Sequence, residues 1–82
     1  MVEAVAEKLL TDFDVTYLKI TDDSRHHHGH YHEKRRGTHL TVELVSPDFS
    51  NVLPLKRHRL VYKALDDFLK NGVHALKLDL KS

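Results

Sequence analysis

The chain reads as a single small α+β domain, because two kinds of hydrophobic periodicity alternate along its 82 residues. Residues 38–46 alternate with period two, so Leu40, Val42 and Leu44 share one face and Thr41, Glu43 and Val45 the other. Residues 55–69 instead carry Leu55, His58, Val61, Tyr62, Leu65, Phe68 and Leu69 at helical spacing. Asn71-Gly72 stops that helix, because glycine accepts the left-handed cap that ends one.

The remaining elements fall around these. Val2, Val5, Ala6, Leu9 and Leu10 predict a short amphipathic helix over residues 2–10, closed by a turn over residues 11–14. Residues 15–21 are rich in β-branched and aromatic types and predict a strand. Residues 22–37 carry almost nothing apolar beyond Tyr31 and predict a long polar loop, poorly ordered in the free protein. Pro47 ends the second strand, since it brings no ladder donor. A short extra turn fits near residues 49–53, and Pro54 suits the first turn of the long helix with Asn51 as its cap. Residues 73–80 predict a last strand in which His74 shares a face with Leu76, Leu78 and Leu80. The order is helix, strand, strand, helix, strand, in one domain over residues 1–82 with no internal repeat.

Composition narrows the function classes. A net charge of +1 gives no global attraction to nucleic acid or membrane, and no apolar run approaches the ~20 residues of a membrane span. The acidic start, Met1-Val2-Glu3-Ala4, lacks the pattern of a secretory signal, so the expected compartment is the cytoplasm, or the mitochondrion if a presequence has been removed. Cysteine is absent, which excludes disulfides, thiolate nucleophiles and Cys-only metal sites. No serine sits in a Gly-x-Ser-x-Gly elbow, and the three glycines are too scattered to cradle phosphate, so no enzyme is expected. A domain this small gains from a metal, a partner or a second copy of itself.

Histidine carries the candidate chemistry. The chain has eight, and five occupy positions 26, 27, 28, 30 and 32. Neutral imidazole ligates zinc, copper, nickel and iron, and in an extended stretch His28, His30 and His32 would point one way. The competing reading is a solvated loop in which most of these rings are idle. His74, at the start of a strand, is either a structural residue or a ligand. Lys56, Arg57, Arg59 and Lys63 put four fixed positive charges at the start of the long helix. They form either a solvated face or a docking surface for an acidic partner or phosphate.

Four stretches together resemble the BolA family: Asp22-Asp23-Ser24, Gly37-Thr38-His39-Leu40, Arg57-His58-Arg59-Leu60-Val61-Tyr62 and Val73-His74-Ala75-Leu76. Val45-Ser46 and Phe49 also fit, and the match covers nearly the whole chain in order. The resemblance implies an αββααβ domain with a three-stranded mixed sheet, helices packed on one face, similar to a class II KH fold. It implies partnership with a monothiol glutaredoxin of the Cys-Gly-Phe-Ser type, the two proteins and glutathione sharing a [2Fe-2S] cluster in iron–sulfur assembly, trafficking or iron signalling. The histidine opening the last strand, His74, is then one ligand. The other comes from the loop between the first two strands: counting back from His39 points to His30, counting forward from Ser24 points to His27, and His28 is a further rival. Imidazole in place of thiolate would make such a site less negative and raise its potential.

The resemblance also makes Arg57, His58, Arg59 and Tyr62 candidates for partner binding. Reversing both arginines is expected to weaken that binding and leave the fold intact, as for solvated charges. The alternative function is a KH-like nucleic-acid-binding transcriptional regulator using Lys56, Arg57 and Arg59, although the chain lacks the Gly-x-x-Gly loop of KH domains.

Overall fold

The computed structural model describes residues 1–23 and 38–82. Its elements run α1 (Val2–Asp12), β1 (Tyr17–Asp22), β2 (Thr38–Val45), a 3-10 turn (Pro47–Phe49), α2 (Pro54–Ala64), α3 (Asp66–Lys70) and β3 (Val73–Lys81). The expected long polar loop, apart from its first two residues, lies outside the described residues.

The sheet has the order β1-β2-β3, with β2 in the centre. β1 pairs antiparallel to β2, bringing Ile20 opposite Val42, and β3 pairs parallel to β2, bringing Leu78 opposite Val42. A parallel neighbour needs a crossover, and α2 and α3 supply it. The alternation read in β2 is realised: Leu40, Val42 and Leu44 are buried. Leu18 and Ile20 of β1, with Leu76, Leu78 and Leu80 of β3, join them on the same layer. Val5 and Leu9 of α1 and Val61 of α2 cover that layer together with Leu65. Among the described residues, no helix lies over the opposite face of the sheet, which carries Lys19, Glu43, Lys77 and Asp79.

Ser46, Phe49 and Phe13 close one end. The buried Ser46 accepts a hydrogen bond from the backbone N–H of Asp48 (3.0 Å) and so caps the 3-10 turn. That turn inserts Phe49 fully into the core, its ring 5.4 Å from Phe13 at a 51° tilt. Such aromatic pairs add about 0.5–1.5 kcal/mol beyond their burial. The backbone N–H of Asp14 donates to the Asp48 carboxylate (2.9 Å), which ties the exit of α1 to the same turn.

Several expectations are corrected. α1 continues to Asp12, where Lys8 and Asp12 pair at 2.9 Å and the Thr11 hydroxyl donates to the carbonyl of Glu7. Leu10 falls outside the buried stripe and is 56% exposed. Asn51 does not cap α2; it adopts φ 62° in the preceding turn, and Leu53 stands at the cap with no side-chain bond. The long helix divides at Leu65, whose φ of −99° and ψ of 15° break the helical path, giving the two helices that the family resemblance implied. The buried face of α2 runs through Arg57, Leu60, Val61 and Ala64, while Leu55 and Tyr62 lie on the exposed side. Of the expected stripe, Val61, Leu65, Phe68 and Leu69 pack in or against the core, while Leu55, His58 and Tyr62 are exposed.

Gly72 sits between α3 and β3 with φ 137°, a conformation that side chains rarely adopt. A Cβ there would also meet the end of the Met1 side chain at 3.1 Å. Gly72→Ala is expected to destabilise the domain by about 1–3 kcal/mol, read as a lowered urea midpoint with an unchanged slope.

Candidate functional site

β3 begins beside Gly72, whose carbonyl accepts a hydrogen bond from the backbone N–H of Thr38 (2.7 Å). The two parallel strands are thus pinned together at their starts. Thr38 lies opposite Val73, but the next pair is His39 opposite Ala75, so the register shifts by one and leaves His74 as the extra residue. Such a bulge re-aims the side chain it carries. Val73 occupies the core position, 3% exposed, and His74 is exposed. This corrects the expectation that His74 shares a face with Leu76, Leu78 and Leu80: simple alternation fails across an inserted residue.

His39 alternates with the buried Leu40 and so belongs to the face of the sheet opposite the helices. Its ring centre lies 5.3 Å from that of His74, with the ring planes at 36°. Asp23 lies across from His39 on the β1 side: its backbone N–H donates to the His39 carbonyl (2.7 Å), and its carboxylate accepts a hydrogen bond from the Thr41 hydroxyl. One end of that face thus gathers two imidazoles and a carboxylate. In the sequence His39 stands out only as part of the Gly37-Thr38-His39-Leu40 motif. Its place was legible nonetheless, since two parallel strands opening with Thr-His and Val-His bring both histidines to one end of the sheet.

The loop candidates His30, His27 and His28 lie outside the described residues. Among the described residues, no three His, Asp or Glu side chains converge as a metal site. His74 has no hydrogen-bond partner among them and makes only the ring contact with His39. An exposed imidazole, held by a short stretch of strand, fits the role of a single ligand to a group completed from elsewhere.

The four residues expected to bind a partner divide into two groups. His58, Arg59 and Tyr62 come together with Leu55 around a shallow groove of about 200 Å³ on the outside of α2. His58 donates through Nδ1 to the carbonyl of Pro54 (2.9 Å), and the Tyr62 hydroxyl donates to the carbonyl of Leu76 (3.2 Å). Leu53 and Leu55 beside them are 76% and 64% exposed. Arg57 departs from the expectation. It faces inward, where Nε donates to the carbonyl of Val52 (2.7 Å) and Nη1 to that of Leu80 (3.1 Å), with the guanidinium 5.9 Å from the centre of the Phe49 ring. Lys56 and Arg59 remain exposed.

The fold and site define a class: a small α+β domain with a mixed three-stranded sheet that presents histidine at one sheet end and a basic, partly apolar helix face beside it. The family model of the BolA-like protein matches residues 9–82. The chain belongs to the BolA family. Over 81 aligned residues it is 38% identical to the DNA-binding transcriptional regulator BolA of Vibrio cholerae, covering 95% of this chain and 72% of that protein. It is 36% identical over 83 aligned residues to SufE-like protein 1, chloroplastic/mitochondrial, of Arabidopsis thaliana, where it covers 95% of this chain but spans only 22% of that protein. The structure of BolA1 from Arabidopsis thaliana superposes with a TM-score of 0.86 at 38% identity, covering 99% of this chain and 89% of the other. Among the described residues, no helix is long and apolar enough to cross a membrane.

Proposed function

We propose that the domain is a non-enzymatic adaptor that binds a monothiol glutaredoxin and shares a bridging [2Fe-2S] cluster with it and with glutathione. The observation that carries this reading is His74: an imidazole exposed by a bulge at a pinned strand start, in a cysteine-free member of the BolA family. A cluster held this way would supply a cargo for transfer or a signal of iron supply. This chain's part is to offer neutral imidazole nitrogen from His74 and from one histidine of the segment between β1 and β2, His30 first. The groove of Leu55, His58, Arg59 and Tyr62 would seat the partner. A chloroplastic/mitochondrial relative makes an organelle as reasonable a compartment for it as the cytoplasm.

Anaerobic mixing with a Cys-Gly-Phe-Ser glutaredoxin, glutathione, iron and sulfide tests the proposal. The expected result is a heterocomplex whose visible absorption and circular dichroism differ from those of the glutaredoxin alone. Identical spectra, with no complex on size exclusion, would overturn it. Arg59→Glu is expected to weaken that complex roughly three- to tenfold, mainly through slower association. Stability should stay within about 0.5 kcal/mol of the unmodified domain, because the side chain is exposed. An unchanged affinity would remove α2 from the interface.

The bacterial relatives' designation as DNA-binding regulators favours a second reading, a nucleic-acid contact through the start of α2. With Arg57 committed to backbone carbonyls, only Lys56 and Arg59 of the three expected residues are placed to meet phosphate. A salt titration of duplex binding decides: phosphate contacts give affinity that falls steeply with salt, by about one log unit per log unit of salt for each contact.

A further inference from the structure

The geometry points to a second use of the sheet end: His39 and His74 together form a two-imidazole chelate for a single divalent transition-metal ion such as zinc, needing neither glutaredoxin nor cluster. With roughly 2.0–2.1 Å for a zinc–nitrogen bond and about 1.1 Å more to the ring centre, two imidazoles at a tetrahedral angle have centres about 5 Å apart. The two rings here stand at 5.3 Å.

Three features of the backbone place them so. The register shift swings His74 out of the core layer, beside His39. The residue paired with His39 across the strands is Ala75, whose side chain is a single methyl group. The Thr38–Gly72 and Asp23–His39 backbone bonds hold both strand starts, so the two rings are carried on fixed backbone rather than on a loop. The carboxylate of Asp23, bonded to Thr41, lies on the same face. Two protein ligands leave coordination positions for water or a small donor, the open arrangement that suits an ion exchanged with other molecules. The ion would compete with any other ligand role of His74.

The test must silence the histidines between β1 and β2, which offer the same imidazole donor. A variant with His26, His27, His28, His30 and His32 replaced by asparagine is titrated with zinc sulfate, followed by calorimetry and by imidazole ¹H–¹⁵N NMR. One zinc per chain, with the ring resonances of His39 and His74 moving together and those of His58 unmoved, is the expected result. In that background His39→Asn and His74→Asn should each lower the zinc affinity by at least about tenfold, the lower end of what losing even a supporting group does. His58→Asn should leave it unchanged. Zinc shifts absent from His39, or confined to His58, would overturn the assignment, and the NMR reading stands even if an asparagine variant folds poorly. Retained affinity in a folded His39→Asn chain would reduce the pair to a simple ring contact.

Discussion

His74→Ala should lower the yield of cluster-loaded glutaredoxin complex by at least about tenfold, the lower end of what losing even a supporting group does. The expectation follows from how the residue is held. Its strand start is pinned by the Thr38–Gly72 bond, and the bulge leaves its side chain exposed with no partner among the described residues but His39. His30→Ala should do less, because His27, His28 and His32 lie beside it in sequence and offer the same donor. Anaerobic circular dichroism of each variant with the partner gives the measurement. If His74→Ala leaves the spectrum untouched, His74 is not a ligand; if the two variants behave alike, the neighbours of His30 cannot replace it. His39→Ala adds a further comparison, since loss of the adjoining ring alone should leave the cluster spectrum recognisable.

The second large effect falls on Arg57. Arg57→Glu is expected to destabilise the domain by about 2–4 kcal/mol, since hydrogen bonds from a charged donor contribute about 1.5–3 kcal/mol and abandoned acceptors add to the loss. Both acceptors are backbone carbonyls, Val52 before α2 and Leu80 near the end of β3, and the reversed side chain would set a carboxylate against them. For a domain of this size about 3 kcal/mol lowers Tm by roughly 12–24 °C. Arg57→Lys should recover part of the loss, because an ammonium cannot serve both carbonyls with the fork of a guanidinium. Arg57→Glu melting like the unmodified domain would show these bonds to be energetically idle. The contrast with Arg59→Glu, two residues away, is the sharper check: one reversal should act on stability, the other on affinity.

Those two arginines also mark where the sequence stops being legible. Period-two alternation in residues 38–46 and the Asn71-Gly72 stop located the central strand and the last crossover, because both signals are local. The family motifs supplied the division of the long helix that periodicity alone did not. The inward turn of Arg57 was not legible: within Arg-His-Arg the two guanidiniums look alike, and only the positions of Val52 and Leu80 distinguish them. The same holds at the site. His74 was found from its motif, but its face was misassigned, since a one-residue insertion in β3 leaves no mark in the composition and reverses the parity of every residue before it. Asn51 failed as a cap for a related reason, because asparagine suits both a helix cap and the left-handed turn it occupies here.

Among the described residues β3 is an outermost strand, with β2 on one side only. Such a border offers bare carbonyl oxygens to any extended peptide that drifts alongside, which is how stray chains add themselves to a sheet and aggregates begin. Two of its carbonyls, those of Leu76 and Leu80, are already taken by Tyr62 and Arg57 from α2. The helix therefore acts as a guard rail along the sheet's flank. Tyr62→Phe and Arg57→Lys, each of which gives up a donor while keeping the side chain's bulk, should raise the tendency of the folded domain to self-associate at high concentration.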